Sequence, residues 1–155
     1  MMIGTTDRLL LWLYRVGVGA AIFTGFGNMP LYGRYYVGDI PGFGWSGNFM
    51  VNVQVHYAAG AVLLALAVYA AIVFAGMRAR GLRLTTSGML RVGFLALALL
   101  SGLVMAIKNL PGVSVDFPMM PVLNFFHLFA SMIFMFFSLG CVISRARWTK
   151  SSSLD

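Results

Sequence analysis

Four stretches of the chain are long and predominantly apolar, and polar residues gather between them. They cover residues 9–26, 49–76, 89–107 and 121–143. A hydrocarbon core about 30 Å thick is crossed by about 20 apolar residues in a helix. The pattern therefore predicts an all-α protein: a four-helix transmembrane bundle in a single domain, residues 1–155, with little outside the bilayer. Local signals agree with these limits. Thr5-Thr6-Asp7 offers capping side chains before the first helix, and Thr86-Ser87 does so before the third. Asn109-Leu110-Pro111-Gly112 stops the third helix, and Pro121 suits the first position of the fourth.

The connections differ in character. The first, Gly27 to Asn48, is long for a loop without structure of its own, and it is rich in Gly and aromatics. It is expected to lie on the outer interface, with Tyr35, Tyr36, Phe43 and Trp45 embedded, as an anchor or as a lid. The second, Met77–Gly88, is short and basic. The third carries Asp116 and several prolines, and the tail from Lys150 to Asp155 is expected to fray. A weak internal repeat is visible. Thr24-Gly25 followed by Asn28-Met29-Pro30 resembles Ser101-Gly102 followed by Asn109-Leu110-Pro111. Each copy precedes a helix carrying His-x-x-Ala-[Gly/Ser], which suggests two pseudo-equivalent helical hairpins.

Composition fits a membrane protein. The chain is 60% hydrophobic and 10% charged, against roughly a quarter charged in soluble domains. The net charge of +7 arises from where the cations sit and does not point to nucleic acid. Arg8, Arg15, Arg78, Arg80, Arg83, Arg91, Arg145, Arg147 and Lys150 fall at the N-terminus, the second connection, the C-terminus or the adjoining helix ends. The positive-inside rule then places both termini in the cytoplasm. Arg15, near its helix end, is expected to snorkel. The single cysteine, Cys141, excludes an internal disulfide and a CxxC redox pair.

Candidate chemistry rests on the only two histidines, His56 and His127. His56 lies seven residues after Phe49 and His127 six after Pro121, so each sits roughly 10 Å inward from the outer end of its helix. On parallel helices at matching depth, the two imidazoles are placed to hold one b-type haem as axial ligands. Ala59 and Gly60, and Ala130 and Ser131, lie three and four residues on and share the histidine face. Their small size admits a flat macrocycle, with Leu63 and Phe134 as walls. Arg34 and Lys108 are the two cations near the outer face and suit haem propionates. The plainer alternatives are packing histidines and interfacial cations. Two imidazoles without carboxylates or thiols fill too few positions for an ordinary metal-ion site.

Four short helices, His56-x-x-x-Gly60 and His127-x-x-x-Ser131 resemble the membrane cytochrome b subunits of bacterial respiratory complexes. These include the formate dehydrogenase gamma and hydrogenase cytochrome b types and their smaller four-helix relatives. The resemblance implies electron transfer between a membrane quinone, menaquinone or ubiquinone, and a periplasmic cytochrome c or iron–sulfur subunit. It carries over His56 and His127 alone. The chain has ligands for one bis-His haem where two-haem members need more, so it is expected to be a non-catalytic subunit of a larger complex. Tyr57, Asn52, Gln54 and Asn124 offer hydrogen bonds to a quinone near the haem. The competing reading is a cofactor-free membrane anchor or assembly subunit. A transporter is disfavoured because no acidic residue lies inside a helix, and no hydrolytic constellation is present.

Overall fold

The computed structural model describes residues 5–29, 36–78, 81–113 and 119–151; of Thr5, Thr6, Asp7 and Ser151 it describes the backbone alone. Four α-helices dominate: α1 (Thr5–Gly27), α2 (Phe49–Arg78), α3 (Thr86–Ile107) and α4 (Met119–Ile143). All four are long and apolar enough to cross a membrane, and the apolar runs locate them to within a few residues. Two three-residue strands, β1 (Leu82–Leu84) and β2 (Thr149–Ser151), and two short 3-10 turns make up the other described elements. The contacts gather into two units, Met1–Val68 and Tyr69–Asp155, divided within α2.

In the first unit, α1 runs antiparallel to the opening half of α2. Leu63 packs where Gly17 leaves room; a Cβ at position 17 would lie 3.1 Å from the leucine side chain. Asn52, Ala59 and Leu63 are buried. Their spacing of seven and then four residues marks one helix face, with His56 on the same stripe. The connection folds back over α1 through two short 3-10 turns, Val37–Asp39 and Gly44–Gly47. Phe43 and Trp45 stack on Phe23 of α1, at ring separations of 5.5 and 5.7 Å. Phe43 and Trp45 stay 41% and 39% exposed from the chain, and Tyr36, in a left-handed conformation (φ 52°), is 71% exposed. Tyr35 lies outside the described residues.

In the second unit, α3 and α4 pack antiparallel along their lengths. Phe94 meets Phe137 edge-on at 6.0 Å, and Ala98, Ser101, Ala130, Phe134 and Cys141 fill the seam. The basic end is closed by the two strands, which pair antiparallel with Arg83 opposite Lys150. Lys150 and Ser151 are therefore paired rather than frayed. The cap of α3 is Thr85, one residue before the expected pair: its hydroxyl accepts from the Gly88 N–H at 3.0 Å. The same hydroxyl donates to the Arg147 carbonyl at 2.6 Å, so capping and closure share one side chain. Pro121 stands in the first turn of α4, two residues inside its start.

Arg91 is also placed unlike its sequence suggests. It belongs to the basic group next to the second connection, yet it is 2% exposed. Its Nε donates to the Ser87 carbonyl at 3.3 Å and its Nη2 to the Ala146 carbonyl at 2.8 Å. The guanidinium lies 4.2 Å from the Trp148 ring centroid, within cation–π range. The returning tail covers this cation, which apolar periodicity cannot reveal.

Candidate functional site

Each histidine is held by its own unit in the same way. In the first, His56 Nδ1 lies 2.9 Å from Thr24 Oγ1 of α1. In the second, His127 Nδ1 lies 3.0 Å from Ser101 Oγ of α3. The hydrogen-bond roles follow from counting protons. A hydroxyl has one hydrogen. Thr24 Oγ1 is 2.6 Å from the Ala20 carbonyl and Ser101 Oγ is 2.7 Å from the Leu97 carbonyl. A carbonyl only accepts, so each hydroxyl donates along its own helix and accepts from the imidazole. Nδ1 therefore carries a hydrogen in both rings. In a neutral imidazole that assigns the lone pair to Nε2.

The residue after each hydroxyl is glycine, and this matters sterically. A Cβ at Gly25 would lie 3.5 Å from His56 Cε1, and a Cβ at Gly102 would lie 3.0 Å from His127 Cε1. Thr24-Gly25 and Ser101-Gly102 thus form one device used twice: a hydroxyl that orients the ring and a bare backbone position beside its edge. The sequence displays both dipeptides as a repeat without revealing that they receive the histidines. Thr24, Gly25, Ser101 and Gly102 are the site residues that sequence reasoning missed.

Along the histidine stripe, Ala59 and Ala130 are buried, as are Leu63 and Phe134 one turn further. Leu63 faces Gly17 of α1, so this face serves the packing of its hairpin. Gly60 and Ser131 flank the stripe and are half-buried. Among the described residues, nothing beyond the adjoining backbone of α2 lies within 4 Å of where a Cβ at Gly60 would be.

Asn52, four residues before His56, is fully buried. Its amide nitrogen donates to the Thr24 carbonyl at 2.9 Å and to Asn28 Oδ1 at 2.8 Å. Both amide hydrogens are thereby used, and Asn52 holds the end of α1 against α2. That is the structural alternative to a quinone contact. Its Oδ1 is buried without a hydrogen-bond partner. Gln54, Tyr57 and Asn124 are exposed from the chain.

The two candidate propionate partners fare differently. Lys108 sits at the C-terminal cap of α3, half-buried, and its ammonium donates to Met120 Sδ at 3.2 Å, bridging α3 to the start of α4. Arg34 lies outside the described residues.

The donor set limits what the histidines can bind. Among the described residues no three of His, Cys, Asp and Glu gather as a metal-ion site. A haem supplies four ring nitrogens to its iron, so two imidazoles complete six-coordination where they do not suffice for a bare ion. No known protein family, curated protein or solved structure matches the chain.

Proposed function

We propose that this chain is a haem b-containing membrane electron-transfer subunit, with His56 and His127 as the two axial ligands of one haem. The supporting observation is the duplicated anchoring of the histidines. In each unit a neighbouring hydroxyl accepts from Nδ1, which places the neutral ring's lone pair on Nε2. Metal-bound histidines are held in this manner, the second ring nitrogen donating to an outer partner that fixes tautomer and orientation. Thr24 and Ser101 are those outer partners here. Bound haem would supply one-electron redox chemistry at iron. The protein's contribution is to hold both imidazoles, to keep Gly25 and Gly102 clear of them, and to enclose them in apolar helices.

On this reading the subunit links the quinone pool to an extracytoplasmic redox partner within a larger respiratory complex. The charge distribution supports cytoplasmic termini in a bacterial inner membrane, which would put the histidines toward the outer face. The resemblance to cytochrome b subunits supports the quinone and the periplasmic partner. A pyridine haemochrome assay on the detergent-purified chain tests the cofactor, with about one haem b per chain expected. Stable, folded protein without haem would contradict it.

A second reading has a specific basis. The same hydroxyl–imidazole bonds tie α1 to α2 and α3 to α4, so each histidine also does the work of a packing residue in a cofactor-free anchor. In that case replacing both histidines with Asn would leave complex assembly and electron transfer intact.

A further inference from the structure

We infer that the connection between α1 and α2 is a re-entrant anchor, whose aromatic residues insert beside α1 into the boundary between lipid headgroups and acyl chains. Depth carries the argument. The crossing stretch of α1, Arg8–Gly27, is 20 residues long, just the length that spans the hydrocarbon core. Gly27 therefore stands at one boundary. It is level with Asn52 of α2, as Thr24 is with His56 and Gly17 with Leu63. Phe49, where α2 begins, is then about one turn further out, among the headgroups.

Phe23 lies the other way. It comes four residues before Gly27, roughly 6 Å inside the boundary, and its side chain leans towards the start of α1, deeper still. Phe43 and Trp45 lie against that ring, at 5.5 and 5.7 Å. Even with that whole separation directed outward, both rings would stay inside the boundary. Trp45 thus sits deeper than Phe49, which follows it by four residues. The connection dips along the flank of α1 and rises again to start α2. A lid would cover the helix ends; these rings pass the end of α1 and reach its side.

The surface of the loop fits that position. Phe43 and Trp45 touch α1 with part of each ring and leave the rest uncovered, and Ile40, Phe49 and Met50 are exposed as well. Tryptophan, with an apolar body and one polar N–H, suits the membrane interface. Non-helical backbone at membrane depth needs its polar groups satisfied within the protein, and the two 3-10 turns do much of this locally. The N–H groups of Asp39, Ile40, Phe43, Ser46 and Asn48 donate to carbonyls of the same loop. The Ser46 hydroxyl, 2% exposed, donates to the Phe43 carbonyl at 2.7 Å. Asp39, exposed, sets the limit of insertion. A carboxylate stays with headgroups and water, so the loop enters only to about the 5–10 Å of an interfacial helix. This inference does not depend on haem.

The test begins with the unsubstituted full-length chain in phosphatidylcholine vesicles that contain a diazirine-bearing phosphatidylcholine, the probe placed near the headgroup end of an acyl chain. After irradiation and digestion, lipid adducts are expected within residues 36–50 as well as in the helices; none within 36–50 would overturn the proposal. Depth is then read in the Trp12→Phe, Trp148→Phe chain, where Trp45 is the sole tryptophan. Phosphatidylcholine brominated near the headgroup end of its acyl chains should quench Trp45 about twofold more than lipid brominated near the methyl end, and aqueous iodide should quench it weakly. Strong quenching by iodide with none by either lipid would place the loop in water and overturn the proposal. Quenching by none of the three would mean that protein covers Trp45, a second copy included, and would overturn it equally.

Discussion

The two units use one device in two settings. Thr24-Gly25 receives His56 as Ser101-Gly102 receives His127, and in both an alanine and then a large apolar residue follow on the histidine stripe. Beyond the histidines the units diverge. The first is braced next to its histidine: Asn52 clamps the end of α1, and Phe43 and Trp45 lie on Phe23. The second is braced at its opposite end, by Arg91, Trp148 and the ribbon. What the units share is confined to the imidazole's surroundings, and what differs is the means of holding each hairpin closed. A pure packing role would tolerate many polar arrangements around each histidine. On the proposed function, the repetition of hydroxyl and glycine answers one demand on both rings.

That comparison can be broken by substitution, beginning with the ligands. His56→Ala or His127→Ala should each abolish haem retention, read as loss of the Soret band at unchanged yield of folded protein. The glycines should separate the units next. Gly102→Ala places a Cβ at 3.0 Å from the imidazole and Gly25→Ala at 3.5 Å, the first tighter than most side-chain contacts, so that the ring must give by a few tenths of an ångström, and the second an ordinary contact. Haem occupancy should fall sharply for Gly102→Ala and little for Gly25→Ala; equal losses would contradict the geometry.

Asn52→Ala should destabilise the first unit by about 1–3 kcal/mol, since two buried hydrogen bonds are lost and their acceptors remain. The corresponding position before His127 is Leu123, and Leu123→Ala should cost stability through lost packing with no orphaned acceptor to rescue. Thermal unfolding followed by far-ultraviolet circular dichroism reports on both. Smallest are the hydroxyls. Thr24→Val or Ser101→Ala should cost roughly 0.6 kcal/mol of helix association, the mean for hydrogen bonds between membrane helices. Each should nevertheless shift the haem midpoint potential in a redox titration, whereas Thr24→Ser should restore it. A structural role alone predicts no such shift.

Much of the fold is legible in the sequence because the bilayer demands it: about 20 apolar residues per crossing leave a signal that needs no tertiary context. All four helices follow from that signal. The ribbon does not. Its strands are three residues each, over sixty residues apart, and basic, so their pairing depends on how the tail returns over α3. The burial of Arg91 is hidden for the same reason: the sequence places it among the cations at the helix ends, and only the returning tail encloses it. At the site, the histidines stand out by rarity and by position. Their hydroxyl partners are visible only as a repeat, because Thr and Ser in apolar helices more often bond their own backbone than another helix. Thr24 and Ser101 do both, through the oxygen lone pairs that remain after the single hydrogen is spent.

On the proposed function, one histidine from each unit ligates the same iron. Low-temperature electron paramagnetic resonance of the oxidised, purified chain reads those ligands. A low-spin ferric signal of bis-imidazole type is expected, converted to high-spin or lost when either His56 or His127 is replaced by Ala. A low-spin signal that survives either single replacement, or a high-spin signal in the unmodified protein, would contradict it.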